Sequence, residues 1–267
     1  VAPIVTLTTD FGTRDSYVAA MKGVILGIAE GARLVDVTHD VAAHDVTEAA
    51  LALEGVVPFF PPGTVHLVVV DPGVGTARRG LALAAAGVLF VGPDNGLFTP
   101  FLDGAGWRAF ELTAGAYRLP AVSRTFHGRD VFAPAAAHLA LGLPPERLGP
   151  RVEDPVRLSW PTVREAHGAV AGTVLHVDRF GNLVTSVRAE AFAGSGPVTV
   201  RLAGRVLRFV GTYGELEVGE AGALVGGGGR LEIAVREGSA AARLRARRGT
   251  PVVVSRSWPV RRVRRRP

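Results

Sequence analysis

Three side chains in this sequence have types and placements suited to chemistry. Two of them close one stretch, Val65-His66-Leu67-Val68-Val69-Val70-Asp71-Pro72-Gly73-Val74-Gly75-Thr76-Ala77-Arg78-Arg79. A short Val-rich apolar run reads as a strand buried on both faces. It ends in a carboxylate, a Pro-Gly-Val-Gly turn and two arginines. Ligands of open α/β sheets sit beyond the carboxyl ends of the strands. Asp71 therefore lands where a ligand is expected, and the turn can fold Arg78 back beside it. The third side chain is His127, in a loop just ahead of a helix and next to Gly128, where backbone can approach a ligand. An imidazole titrates near neutrality and can move a proton. A carboxylate and a guanidinium can orient a small molecule and fix the charge around it. Taken singly, each has a plainer reading: a surface ion pair for Asp71 and Arg78, a surface loop residue for His127.

The elements that must position these groups follow in order. Residues 4–9 read as a strand leading to Asp10. Asp15 or Ser16 can cap the next helix, whose apolar positions Val18, Met21, Ile25 and Ile28 have helical spacing and which Gly31 would end. Residues 34–37 form a second strand. Residues 46–57 form a second helix, stopped by Pro58, Pro61 and Pro62, and the 65–71 strand follows. This alternation predicts an α/β fold, with a mostly parallel sheet flanked by helices in the N-terminal domain. After Arg79, residues 81–84 and 88–91 flank Ala86-Gly87 as a hairpin. Gly73-Val74-Gly75 opens like a dinucleotide-binding fingerprint, but Arg78 stands where its third glycine belongs and a hairpin follows, which argues against a Rossmann cofactor site. Residues 97–102 suggest a short helix, 108–112 a strand, and 131–141 a helix capped by Asp130.

Residues 154–165 are Pro-punctuated and aperiodic, so a boundary falls there. The division is residues 1–158 as the α/β N-terminal domain, 166–256 as a β-rich C-terminal domain and 257–267 as a basic tail. Short Val-rich runs at 170–177, 183–187, 198–202, 205–210, 231–235 and 252–255 alternate with Gly turns, predicting a smaller antiparallel β-sandwich or barrel. The four glycines 226–229 either present backbone amides to a flat ring or anion or form a loose hairpin tip.

Composition bounds the function classes. The 267 residues include no cysteine, which removes disulfides, thiolate catalysis and zinc–thiolate sites together. No apolar run approaches the ~18 residues that span a bilayer, and the chain opens almost directly into a strand, so a cytoplasmic location is the expectation. Lys22 is the only lysine, glutamine is absent, and Asn95 and Asn182 are the only asparagines. Depletion of thermolabile residues suggests a thermostable protein, although a GC-rich genome gives part of the same bias. Where asparagine is scarce, the two that remain mark turns that need an amide. The formal charge is +6, and the last twelve residues, 256–267, carry six arginines and no acid. Such a tail can touch nucleic acid or be a solvated end. No basic stripe with exposed aromatics lies upstream, so nucleic acid is not the expected partner. His39-Asp40 and His44-Asp45 have a suggestive spacing, but no metal site is expected.

Six motifs recur in order: Thr9-Asp10-Phe11-Gly12, Val37-Thr38-His39-Asp40, Val70-Asp71-Pro72-Gly73-Val74-Gly75, Gly92-Pro93-Asp94-Asn95-Gly96, Thr125-Phe126-His127-Gly128-Arg129-Asp130 and Asp178-Arg179-Phe180-Gly181-Asn182. Together they make the chain resemble the S-adenosylmethionine (SAM) hydroxide adenosyltransferase family, the SAM hydrolases, relatives of the fluorinating and chlorinating enzymes. The match runs from about residue 4 to residue 255. The resemblance implies a homotrimer with SAM bound at subunit interfaces, and SAM as a substrate with no further cofactor.

The same resemblance implies site residues. Asp10 would bind the ribose hydroxyls, and Phe126 would lie against the ribose with Gly128 beside it. Asp178 and Asn182 would hold the amino and carboxylate groups of the methionine portion, with Phe180 packed nearby. Arg236 and Gly238 would meet the adenine, mainly through backbone. The Gly-rich 226–229 run departs from a Ser-Arg pair of the halogenating relatives, and the spacing before Gly238 is one residue longer. Asp71, Arg78 and His127 would be the catalytic trio, holding a water for in-line attack at C5′ and making adenosine and L-methionine, with His127 accepting the proton. Two alternatives stand beside this. One is a SAM-dependent halogenase of the same family; Gly128 in place of a halide-binding serine, the lack of an extra loop near Asp94 and the charge of Asp71 oppose it. The other is a non-catalytic SAM- or adenosine-binding protein whose Arg-rich tail binds nucleic acid.

Overall fold

The computed structural model describes residues 2–159, 163–166, 168–194 and 196–256; the expected basic tail, residues 257–267, lies outside them. The chain divides into two compact units, Val1–Trp160 and Pro161–Pro267.

The first unit is built on one seven-stranded sheet. In chain order its elements are β1 (Ile4–Thr9), α1 (Tyr17–Ile28), β2 (Arg33–Thr38), α2 (Val46–Val56), β3 (Val65–Val69), β4 (Gly80–Ala85), β5 (Val88–Pro93), β6 (Arg108–Glu111), α3 (Ala133–Ala140) and β7 (Arg151–Val152). The strand order is β2-β1-β3-β5-β4-β6-β7. β2, β1, β3 and β5 run parallel, while β4, β6 and β7 join antiparallel. Four of the seven strands are parallel, so the sheet is mostly parallel to mixed, with an antiparallel side. The hairpin at Ala86-Gly87 causes this, because β4 returns beside β5 without a helical crossover.

β3 lies inside the sheet and is buried on both faces, as its Val-rich run suggests, with His66 buried among the apolar residues. Val65, Leu67 and Val69 join the core that holds Met21 and Ile25 of α1 and Ala133, Ala136 and Ala137 of α3. Val68 and Val70 join the opposite core, with Ala49 and Leu53 of α2, Leu81, Leu83 and Phe90. The period of two thus sorts one strand between two layers, and removing a fully buried side chain such as Leu67 or Leu53 down to alanine costs about 2–5 kcal/mol.

Several expected caps differ. Ser16 precedes α1 but makes no side-chain capping bond, and α1 ends at Ile28 with Ala29 rather than Gly31 as its C-cap. Asp45, which sequence reasoning passed over, caps α2: its carboxylate accepts from Glu48 N at 3.0 Å. The helix expected over 131–141 is a π-helical turn, Gly128–Phe132, running into α3. Asp130 does not cap it; its buried carboxylate accepts instead from Ser123 N at 2.8 Å and from Arg129. The short helix expected over 97–102 is one 3₁₀ turn, Thr99–Phe101.

The second unit holds β8 (Arg164–Ala166), β9 (Ala169–Val177), β10 (Leu183–Arg188), β11 (Val198–Leu202), β12 (Arg205–Phe209), β13 (Ala221–Val225), β14 (Arg230–Val235), α4 (Ala240–Leu244) and β15 (Pro251–Arg256). The order β10-β14-β13-β12-β11-β15-β9 closes through β9–β10 into a seven-stranded barrel, with β8 added to β9. Closure removes exposed edges, so a barrel forms and not a sandwich. One pair, β12–β13, is parallel. The chain between them crosses over instead of turning back, packing Leu216 into a small core with Val210, Leu224 and Ala234.

Candidate active site

The site of the first unit forms where β1 and β3 end and the 123–128 loop meets them. The turn after β3 is held by its own backbone: Val74 N donates to Asp71 O at 3.2 Å and Thr76 N to Gly73 O at 3.1 Å. Gly75 has φ +77°, and a Cβ there would lie 2.6 Å from Arg124 O, so only glycine lets the turn close against the 123–128 loop. Thr76 Oγ1 donates to Gly73 O at 2.6 Å and accepts from Arg78 N at 3.3 Å, which aims Arg78 back at the strand end.

Arg78 then forks onto Asp71: Nε donates to Oδ1 at 2.8 Å, and Nη2 donates to Oδ2. The same Nη2 also donates to His127 Nδ1 at 2.9 Å. The Arg78 guanidinium lies over the Phe132 ring, 5.1 Å from its centroid. The side chains of Asp71 and Arg78 are 6% and 11% exposed, so this is a buried pair. The three groups that sequence reading drew from two loops meet at one point. A guanidinium only donates, so His127 Nδ1 must carry a lone pair, and the proton of the neutral ring sits on Nε2. Burial lowers the His127 pKa from its ordinary value of 6.5, and the neighbouring Arg78 cation lowers it further. Both effects keep the ring neutral at pH 7.

A cavity of about 310 Å³ opens beside the trio. Asp71 and His127 line it together with Asp10, Phe126 and Gly128. Asp10 Oδ2 accepts from His44 N at 2.9 Å, and His44 holds φ 68° to present that N–H. Phe11, Tyr17 and Phe126 form an aromatic cluster at the rim, with centroids 5.3–6.0 Å apart, and Arg129 lies over Phe126 at 5.0 Å. Tyr17, His44 and Thr125 also line the cavity and were not singled out as binding residues. Thr125 opens the motif that holds Phe126 and His127, whereas Tyr17 and His44 reach the cavity through the fold-back of α1 and of the 39–45 loop onto the end of β1.

His39, considered above for metal binding, hydrogen-bonds Thr9 Oγ1 through Nδ1 at 2.8 Å, and its Nε2 lies 3.0 Å from Asp36. Among the described residues, no group of three or more His, Asp or Glu side chains is arranged to hold a metal ion. Among them too, no helix is long and apolar enough to cross a membrane.

In the second unit Asp178, Phe180 and Asn182 share one turn. Asp178 Oδ1 accepts from Phe180 N at 2.9 Å and from Asn182 N at 2.8 Å, while Asn182 Nδ2 donates to Asp178 Oδ2 at 3.0 Å. The two polar side chains thus brace each other, and Phe180 is 75% exposed. Arg236 and Gly238 follow β14. Arg236 Nη1 donates to Leu216 O at 2.9 Å, and Gly238 pairs back to Val235. The two segments touch: Ala241 N donates to Gly181 O at 3.0 Å, and Gly181 packs on Ser239. The glycines 226–229 form the tip of the β13–β14 hairpin, with Gly226 N donating to Arg230 O at 2.9 Å.

Comparison with known proteins agrees with this architecture. Residues 5–149 match the family model for the SAM hydroxide adenosyltransferase N-terminal domain, and residues 172–253 match its C-terminal domain. The chain is similar to the (R)-S-adenosyl-L-methionine hydrolase of Thermus thermophilus, 45% identical over 253 residues that cover 91% of this chain and 96% of the relative. It is more distantly similar to a fluorinase of Actinoplanes sp., 31% identical over 222 residues, 73% of this chain and 74% of the relative. Among solved structures, an uncharacterized conserved protein from Thermotoga maritima superposes with a TM-score of 0.88 at 35% identity, covering 95% of this chain and all of that one. Two family domains in order across most of the sequence, with whole-length similarity on both levels, place this chain in the SAM hydroxide adenosyltransferase family.

Proposed function

We propose that this protein hydrolyses SAM to adenosine and L-methionine by in-line attack of water at C5′. The observation that carries the reading is the convergence of Asp71, Arg78 and His127 beside a cavity that Asp10 and Phe126 also line. Relatives bearing the name (R)-S-adenosyl-L-methionine hydrolase, at 43–45% identity, support it.

SAM carries a sulfonium, so methionine leaves without a general acid. What the reaction lacks in free solution is a positioned nucleophile. The water accepts a hydrogen bond from His127 Nε2–H and donates one to the Asp71 carboxylate, which leaves a lone pair for C5′. As the O–C5′ bond forms, the C5′–S bond breaks and its electron pair goes to the methionine sulfur. The released proton passes to Asp71 and on to solvent. Arg78 fixes both partners and holds His127 in the donating tautomer. Sequence reasoning made His127 the proton acceptor; with Nδ1 engaged by Arg78, this reading gives the ring the task of orienting the water.

Asp10 takes the ribose hydroxyls, Phe126 packs on the sugar and Gly128 leaves room beside it. Asp178, Asn182 and Phe180 take the methionine end, and the Arg236–Gly238 backbone takes the adenine. The site is completed between subunits of a homotrimer, as the resemblance implies; light scattering of the purified protein tests this. The halogenase reading is weaker, because the Asp71 carboxylate lines the cavity and would repel a halide there, and the Actinoplanes fluorinase is only 31% identical. The test is product formation. Purified protein with SAM releases adenosine and methionine, and His127→Ala still binds SAM but loses most turnover. Absence of adenosine at every pH and temperature tried would end the enzyme reading in favour of a non-catalytic SAM binder.

A further inference from the structure

Asn95 is one of two asparagines in the chain, and no step above uses it. Its place in the sheet gives it a role. β3 and β5 run parallel, with Val65 opposite Leu89, His66 opposite Phe90 and Leu67 opposite Val91. Leu89 N donates to Thr64 O at 2.9 Å. Donors on one edge of a strand recur every second residue. The same edge of β5 therefore calls on residues 91, 93 and 95 for the carbonyls of His66, Val68 and Val70.

Position 93 is proline, which has no N–H. The N–H of Asn95 is turned back to Pro93 O at 3.1 Å. The backbone ladder thus stops short of Asp71. The Asn95 side chain replaces the missing rung: Nδ2 donates to Val70 O at 2.9 Å, and Oδ1 accepts from Leu97 N at 3.4 Å. Gly92 lets β5 pass this close, since a Cβ there would lie 2.3 Å from Val68 O.

We propose that Asn95 is a positioning residue for the hydrolytic trio, its amide fixing the Val70–Asp71 peptide from which the Asp71 carboxylate projects to Arg78 and the attacking water. The inference rests on the reading of Asp71 given above. The Val70 carbonyl belongs to the peptide plane that sets the direction of the Asp71 side chain. Pro72 restricts Asp71 from the other side, because a residue before proline is held extended. With both flanks fixed, Asp71 has one orientation; with the amide gone, the plane can rotate and the fork to Arg78 and His127 shifts with it. Displacement of about 1 Å at such a group costs up to about 100-fold in rate.

The experiment measures steady-state and single-turnover SAM cleavage by Asn95→Asp, which keeps the shape and loses the donor, and by Asn95→Ala, alone and with Asp71→Asn. Thermal unfolding confirms that each variant folds, and Asn95→Asp carries the test if Asn95→Ala does not. The expected result is a kcat loss of about 10- to 100-fold with KM for SAM changed by less than about 2-fold. In the Asp71→Asn background the same Asn95 change adds no further loss, which a general structural role would not produce. Unchanged kcat in Asn95→Asp, or an equal loss in the Asp71→Asn background, overturns the inference while leaving the trio intact. If Asp71→Asn itself cleaves SAM at the normal rate, the reading of Asp71 fails and the positioning role falls with it.

Discussion

Replacing Arg78 with methionine keeps an unbranched apolar stem and deletes the fork. The Asp71 carboxylate, 6% exposed, then loses both of its guanidinium contacts. Removing one partner of a buried pair costs about 3–5 kcal/mol, because the other charge is left uncompensated. The cavity beside Asp71 admits some water, so the low end, about 3 kcal/mol, applies. For a unit the size of Val1–Trp160, each kcal/mol moves the melting temperature by about 2–4 °C, and the expected drop is about 6–12 °C. Adding Asp71→Asn removes the stranded charge, so the double variant recovers at least half of the loss despite carrying two changes. Thermal unfolding of the four proteins at pH 7 completes the cycle. A loss below about 1 kcal/mol for Arg78→Met is what an exposed pair would give; that result, or a double variant as unstable as the two singles summed, would refute the buried-fork reasoning.

Other expectations follow from the same structure. Burial and then Arg78 lower the His127 pKa from 6.5; protonation of Nδ1 breaks its contact with Arg78, so kcat falls on the acid side with a midpoint below 6.5, and Arg78→Met moves that midpoint upward; a wild-type midpoint above 6.5 would contradict the neutral ring. His66 is fully buried, hydrogen-bonded to Thr6 at 2.8 Å and stacked on Phe90, and burial pushes its pKa down to about 4. Its stabilising effect is complete above 6.5 and is lost as pH falls toward 4, amounting to about 3 kcal/mol; urea unfolding shows a flatter acid slope in His66→Phe if this holds. Asp45→Ala removes the α2 cap and costs about 1 kcal/mol in the same measurement, with an unchanged midpoint counting against it. Gly128→Ser places a Cβ 3.3–3.4 Å from Met21, Phe126 and Val69, which costs about 1 kcal/mol and confers no chloride- or fluoride-dependent product; a halogenated nucleoside by mass spectrometry would revive the halogenase reading.

Much of the fold was legible where local pattern decides. β11 is read to the residue as 198–202, because Gly turns bound a short Val-rich run. The β3 stretch announced its burial through a Val-rich run. What local pattern could not reach was closure and direction. The choice of barrel over sandwich rests on β9–β10 pairing, and the mixed sheet rests on which edge of β5 the hairpin returns to. β13 was missed because Ala221-Gly222-Ala223 carries little β signal; it is held by neighbours on both sides. The π-helical turn before α3 has no periodicity signature, and it is the turn that follows His127. That Asp71, Arg78 and His127 meet was foreseeable from the tight turn after β3 and the loop before Gly128, whereas Tyr17 and His44 reach the cavity only through tertiary folding. The scarcity of asparagine proved informative at both positions: Asn95 bridges to the Val70 carbonyl and Asn182 braces Asp178.

Cleavage of SAM in ¹⁸O-labelled water tests the proposed chemistry most directly. Attack by a water held between His127 and Asp71 puts one solvent oxygen on the 5′ carbon of adenosine and none on methionine, with turnover lost in His127→Ala. Adenosine free of label, or label that appears equally with the His127 variant, would contradict it.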